Sequence, residues 1–198
     1  MSALGSTEAI LMILLPLLII PLLTSVLSYF SGRNAKYVAL GGSLLNTIWA
    51  LWLLYTYNSS GQQTIEYSAE WIPAIGARFS LMLDGISLML TLLSAIVLPL
   101  IIYASFNRDY PDRHVLYALI LLMDAAMAGA FIAADGFLFY LCWEIALLPI
   151  YFICLKWGGE NRQKITLKFF LYTMLGSLFM LFSFIYVFLH VPERSFDL

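Results

Sequence analysis

The sequence predicts an all-α polytopic membrane protein with about six transmembrane helices. Three observations carry this. Of 198 residues, 62% are hydrophobic and only 11% charged, against roughly 25% charged in an ordinary soluble domain. The mean hydropathy is +0.89. Six apolar segments, near 9–30, 37–57, 79–106, 115–134, 136–155 and 166–190, each reach the roughly 20 residues a helix needs to cross hydrocarbon. Such a chain has too little polar surface for water, and the bilayer is its expected solvent.

The first segment follows an N-terminus without Lys or Arg and runs to about Phe30. It is too long for the h-region of a cleaved signal and reads as a retained helix. The connector 58–78, "NSSGQQTIEYSAEWIPAIGAR", is the one long loop. Its alternation is too irregular to define a strand, although a small hairpin fits, and Tyr67 and Trp71 suit a membrane interface. The third segment is long, with Pro99 as a site for a kink. In the fourth, Ala125 with Gly129 and Ala126 with Ala130 form small-xxx-small pairs that let helices approach closely. "AADGFL" turns the chain at Gly136, with Asp135 placed to cap the fifth segment. Cys142 and Cys154 lie about 18 Å apart along one helix and cannot pair with each other.

Charge placement sets the expected orientation. Arg33, Lys36, Arg108, Arg113, Lys156, Arg162, Lys164 and Lys168 fall on one side, and only Arg78 and Arg194 on the other. The positive-inside rule puts the eight in the cytoplasm and both termini outside. The expected location is a bacterial inner (cytoplasmic) membrane. No basic cluster suits nucleic acid, and no phosphate-loop, dinucleotide or metal-ligand motif is present. His114 and His190 are poorly placed as a metal pair. No bond-making chemistry is expected of this chain.

The informative residues are acids inside apolar helices. Asp124 lies about 14 Å from Val115 and Glu144 about 17 Å from Leu155 at 1.5 Å per residue, so both sit near the midplane. A carboxyl there costs about 2.5–3.5 kcal/mol on insertion scales. Each is either a proton-relay group facing the bundle interior or a neutral acid hydrogen-bonded to a neighbouring helix. Asp84 sits within about 8 Å of Phe79, close to the outer surface, and reads as a structural anchor. Pro149, five residues after Glu144, removes a helix hydrogen bond near residue 145. This either exposes a carbonyl beside the acid or simply kinks the helix. Lys168 can reach inward or snorkel to the headgroups with Arg162 and Lys164.

"FYLCWEIALLPIYFICLKWGG" followed by "KFFLYTMLGSLFMLFSF" resembles the fifth and sixth helices of the antiporter-like membrane subunits of respiratory complex I, most closely the subunit M (chain 4) type. The residues that carry the likeness are Trp143-Glu144, Pro149 with Tyr151, Trp157-Gly158, and the run Lys168-Phe169-Phe170 with Tyr172-Thr173. "FSLMLDGISLMLTLL" with Asp84 and "AADGFLFY" with Asp135 also fit. The resemblance implies that 1–114 are three N-terminal helices with the 58–78 loop outside. Residues 115–198 would then begin the first antiporter-like repeat. It further implies that Glu144 couples quinone reduction to proton translocation; the reading of the residues themselves adds Asp124 and Lys168 as further candidates and Pro149 as the helix break that positions the acid. The implied partners are the other membrane-arm and peripheral-arm subunits and the lipid bilayer. FMN, iron–sulfur clusters and quinone would belong to the whole complex and no cofactor to this chain. Family members are longer, so the chain is expected to be a fragment of such a subunit, or a split subunit whose remainder is another chain, reaching an outer loop at Leu198. The competing expectations are a subunit of a multi-subunit Na+/H+ antiporter or membrane-bound hydrogenase, or a structural segment without transport.

Overall fold

Hydrocarbon offers no partner for a backbone N–H or C=O, so a spanning chain must close its hydrogen bonds internally. The computed structural model, which describes residues 7–60, 64–72 and 77–190, meets this with helices. They are α1 (Thr7–Leu14), α2 (Pro16–Phe30), α3 (Ala35–Ser60), α4 (Gly85–Ala104), α5 (Arg113–Ile132), α6 (Gly136–Trp157) and α7 (Arg162–His190). Strands β1 (Ile65–Ile72) and β2 (Ala77–Leu83) form an antiparallel hairpin between α3 and α4. Among the described residues, five helices are long and apolar enough to cross a membrane, and α2 is a shorter apolar helix. Arg194 lies outside the described residues.

The first predicted span is therefore two helices. Leu15 keeps helical dihedrals (φ −55°, ψ −39°), and Leu18 and Ile19 both donate to its carbonyl. The break falls there because Pro16 has no N–H to continue the ladder. A larger correction concerns the third span, predicted from residue 79. Residues 77–83 are strand β2, and α4 begins only at Gly85. Asp84 starts that helix in an extended conformation: its Oδ1 accepts the Ser87 N–H at 2.7 Å, and its own N–H donates to Ser87 Oγ at 2.8 Å. This reciprocal capping box satisfies two otherwise unpaired donors. The Ser87 N–H is also the main reason the Asp84 carboxyl is held below the usual carboxylate range.

Helix α5 is the centre of the bundle, packing against α2, α3, α4 and α6, whereas α7 packs on α6. Just over half of α5's apolar stretch is buried (56%), against 6% for α7. Small residues permit the tight centre: Ala125, Ala126, Ala128 and Gly129 are all buried on α5. Ser25 Oγ of α2 donates to the Ala118 carbonyl at 2.7 Å.

The hairpin closes one end of this bundle. Ile65, Leu81 and Leu83 are buried with Leu14, Leu53, Ile132 and Leu138. The Ala134 N–H donates to Ser80 O at 2.9 Å, and Leu81 bridges Ala133, so the α5–α6 corner adds a short third edge to the hairpin. At the other end, the Trp157 indole N–H donates to Pro111 O at 3.0 Å and Lys156 pairs with Asp112 at 2.7 Å. Helix α6 is thus fastened at both ends to the segments flanking α5.

Candidate functional site

Helices α5 and α6 are antiparallel and share the turn at 133–135. Asp124 lies eight residues before the end of α5 and Glu144 eight after the start of α6, so both are about 12 Å from that turn at 1.5 Å per residue. The two acids occupy one depth on adjacent helices, yet no hydrogen bond joins them among the described residues. They serve different neighbours.

Asp124 faces α3 and α4. Its Oδ2 accepts from Asn46 Nδ2 at 3.2 Å and its Oδ1 from Ser94 Oγ at 2.7 Å. Asp124 is 3% exposed and Asn46 2%. Buried polar groups at this depth persist when their bonds are made. Asn46 Oδ1, however, is buried without a partner among the described residues. An ionised Asp124 uses Asn46 as a donor. A protonated Asp124 needs an acceptor, and a half-turn of the Asn46 amide supplies one. The cluster can therefore hold the acid in either protonation state.

Glu144 faces the α6–α7 seam. Its Oε1 is buried with no hydrogen-bond partner among the described residues. Tyr140, one turn earlier on α6, interacts with both Glu144 and Ser177 of α7. Among the described residues α7 buries only Thr166 and Ser177, so a hydroxyl is one of the few groups this helix turns inward. Pro149 is buried on α6, and its missing N–H leaves the Ile145 carbonyl, next to Glu144, without its helical donor.

The remaining candidates lie apart. Asp135, fully buried, accepts the Phe137 and Leu138 N–H groups at 2.9 Å each on Oδ1 and the Arg78 N–H at 3.1 Å on Oδ2. It caps α6 and ties the hairpin to it. Asp84 caps α4. Lys168 is exposed on α7 and makes no hydrogen bond or ion pair among the described residues; the structure does not bring it to Glu144 or Asp124. No group of three or more His, Cys, Asp or Glu among the described residues is placed to hold a metal ion. Sequence reasoning missed Asn46, Ser94, Tyr140 and Ser177. The available signals were polar residues inside apolar helices and, for Tyr140, a four-residue spacing from Glu144 that puts both on one helix face.

Known proteins resemble this chain in sequence and in fold. Residues 133–197 match the family described as NADH:quinone oxidoreductase/Mrp antiporter, TM. The chain is 38% identical over 170 residues to F(420)H(2) dehydrogenase subunit M of Methanosarcina mazei, covering 83% of this chain and 34% of that protein. It is 35% identical over 195 residues to NAD(P)H-quinone oxidoreductase chain 4 1 of Synechococcus elongatus, covering 97% of this chain and 36% of that protein. Respiratory complex I from Thermus thermophilus contains a chain that superposes with a TM-score of 0.82 at 25% identity, over 93% of this chain and 38% of that one. The Mrp complex of a Dietzia species shares the fold, with a TM-score of 0.75 at 21% identity over 95% of this chain and 20% of that one. The chain spans about a third of the length of the curated relatives it matches. Over nearly its whole length it is similar to part of the antiporter-like membrane subunits that include chain 4 of the NAD(P)H-quinone oxidoreductases.

Proposed function

We propose that this chain is part of a membrane-arm subunit of a proton-translocating quinone oxidoreductase, and that Glu144 is its proton-carrying group, with Asp124 a second. The observation that carries the reading is the buried, unpartnered Glu144 Oε1 in a relative of redox-driven membrane subunits. Energetics make such a group switchable. Ionising an acid at this depth costs about 2.5–3.5 kcal/mol on insertion scales. A cation brought to 4 Å returns about 4 kcal/mol at an effective dielectric of 20. The two are comparable, so the approach or withdrawal of one positive charge decides whether Glu144 holds its proton. The Tyr140 hydroxyl, which interacts with Glu144 and with Ser177 of α7, offers a route for handing that proton along the α6–α7 seam.

The subunit would work with further membrane-arm and peripheral-arm partners in the cytoplasmic membrane of a bacterium, both termini of this segment on the outer face. FMN, iron–sulfur clusters and quinone would sit in those partners. The electron donor is not a property of this chain: one relative is named for F(420)H(2) and another for NAD(P)H. A subunit of an Na+/H+ antiporter assembly shares the fold and is the second reading. Purification through a tag on this chain separates the two: flavin and iron–sulfur absorbance with quinone reductase activity supports the first, ion exchange without redox cofactors the second.

Replacing Glu144 with Gln keeps the shape and removes the ionisable group. In inverted membrane vesicles the expected outcome is a loss of proton pumping of about tenfold or more, equivalent to about 1.4 kcal/mol, with the complex still assembled. Unchanged pumping would overturn the role of Glu144, and loss of assembly would favour a purely structural one.

A further inference from the structure

The end of the bundle opposite the hairpin carries a polar cavity of about 580 Å³ where the α2–α3 turn meets the start of α5. We propose that this cavity binds an anionic phosphate group, carried by a phospholipid of the adjoining leaflet. The proposal is independent of the proton path.

Its chemistry is cationic. Arg33, Lys36, Arg113 and His114 line it, with Asp112 the carboxylate among the lining residues. Asp112 is already engaged by Lys156 at 2.7 Å, and Arg113 pairs with Asp109. Arg33 and Lys36 pair with no carboxylate among the described residues. Lys36 Nζ rests 5.0 Å from the Tyr37 ring centre and 5.2 Å from that of Phe106, an arrangement that steadies the ammonium without using its N–H donors. Two uncompensated cations leave the cavity positive enough to hold the single negative charge of a phosphodiester.

Backbone geometry adds to this. Asp112 has a left-handed conformation (φ 51°), and its side chain makes no capping hydrogen bond to α5. The positive end of a 20-residue helix, with its first N–H groups uncapped by a side chain, therefore faces the cavity. Across from it, the α2–α3 turn depends on Gly32 at φ +49°, a conformation a side chain would strain.

What makes the ligand a lipid is the adjoining surface. An apolar groove of about 300 Å³ runs between α2 and α5, lined by residues including Val26, Phe30, Val115 and Leu119. It meets the cavity where the Tyr29 ring, which lines the groove, contacts His114 at 5.8 Å. A polar cavity above an apolar groove fits a headgroup followed by an acyl chain. Exposed Phe30 (79%) and Tyr37 (61%) supply the aromatic rim found at headgroup depth, and basic pockets between helix ends bind such headgroups.

The test uses the whole assembly purified through a tag on this chain. After exchange with mixed phosphatidylglycerol and phosphatidylcholine, retained lipid is measured by native mass spectrometry. The expected result is preferential retention of phosphatidylglycerol, falling about tenfold in Arg33→Gln/Lys36→Gln and unchanged in Arg108→Gln, an exposed charge outside the cavity. If the double variant fails to assemble, Arg33→Gln alone, at an exposed position, is read by the same criterion. Displacement of the lipid by millimolar inorganic phosphate in the parent protein confirms the phosphate chemistry. Binding of inorganic phosphate without lipid selectivity would identify free phosphate as the source and overturn the lipid assignment. Equal retention by parent and variant, or an equal loss in Arg108→Gln, would overturn the site.

Discussion

Asp124 and Glu144 show how a carboxyl group at the same depth can be held in two ways. Asp124 has both oxygens engaged by Asn46 and Ser94, while Glu144 has one oxygen without a partner. Interhelical hydrogen bonds in membranes contribute about 0.6 kcal/mol on average and at most about 1.7, so the Asp124 cluster is a modest structural asset. Asp124→Asn keeps the volume and one acceptor. Its expected cost in thermal stability is about one such bond, about 0.6 kcal/mol. If Asp124 also carries protons, pumping falls about tenfold in the same variant. A variant that pumps normally but melts lower by that amount would reduce Asp124 to a hydrogen-bond acceptor. Asn46→Leu is a useful companion: it removes the donor and leaves an ionisable acid, so a structural role predicts a melting shift without a pumping defect.

Contacts between elements carry their own predictions. A Cβ on Gly42 of α3 would lie 2.1 Å from Thr24 Cγ2 and 2.6 Å from Thr24 Cβ of α2. Thr24 cannot swing away freely, because its Oγ1 donates to Ile20 O at 2.6 Å and to Pro21 O at 3.1 Å. Gly42→Ala must therefore separate the two helices, at about 1–3 kcal/mol. Thr24→Gly in the same chain, which removes the Thr24 Cβ as well as Cγ2, should recover part of that loss, as a double-mutant cycle on the melting of the purified complex would show. At the opposite bundle end, Lys156 holds the Asp112 carboxyl below the usual carboxylate range, chiefly by its hydrogen bond. A depressed acid stabilises the fold above its unfolded value, near about 3.9, and loses that contribution as the pH falls through the folded one. Hydrogen exchange of residues 108–116 should thus be slower in the parent than in Asp112→Asn at neutral pH, and the difference should shrink as the pH falls below about 3.9 and vanish once the carboxyl is protonated. A difference that survived there would remove the ion pair from the account. These elements also show what the chain reveals before folding. The spans over α3, α5, α6 and α7 follow from length and apolarity alone. Strand β2 did not, because an apolar run of Phe79, Leu81 and Leu83 reads equally well as the start of a helix. The distinguishing signal was Asp84 with Ser87 three residues on. Asn46 and Ser94 were hidden for a different reason: nothing along the chain says which helices become neighbours, and their meaning appears only once α3 and α4 converge on Asp124.

For the whole molecule, the two ends of the bundle differ in kind. One is closed by the hairpin and the Asp135-centred corner; the other carries Arg33, Lys36, Arg108, Arg113, Lys156, Arg162 and Lys164 around the ion pairs and the basic cavity. This asymmetry supports the orientation proposed above. Basic residues in short connectors resist translocation, whereas a folded hairpin with Glu66 and Glu70 opposite Met82 and Arg78 carries no such excess. Helix α7, with 6% of its apolar stretch buried, must meet lipid or further protein on nearly every side, so accessibility along α7 is a poor reporter of sidedness. The bundle ends are better. In a Cys142→Ala, Cys154→Ala background, Ser68→Cys on β1 and Glu160→Cys between α6 and α7 place one thiol at each end. A membrane-impermeant maleimide added to intact cells should label position 68 and not position 160, and inverted vesicles should give the opposite pattern. Labelling of position 160 in intact cells would reverse the orientation of all spans together, because the helices are joined by short connectors and none can invert alone. It would also move the basic cavity to the outer leaflet while leaving its phosphate chemistry intact, since that chemistry depends on Arg33 and Lys36 and not on which side they face.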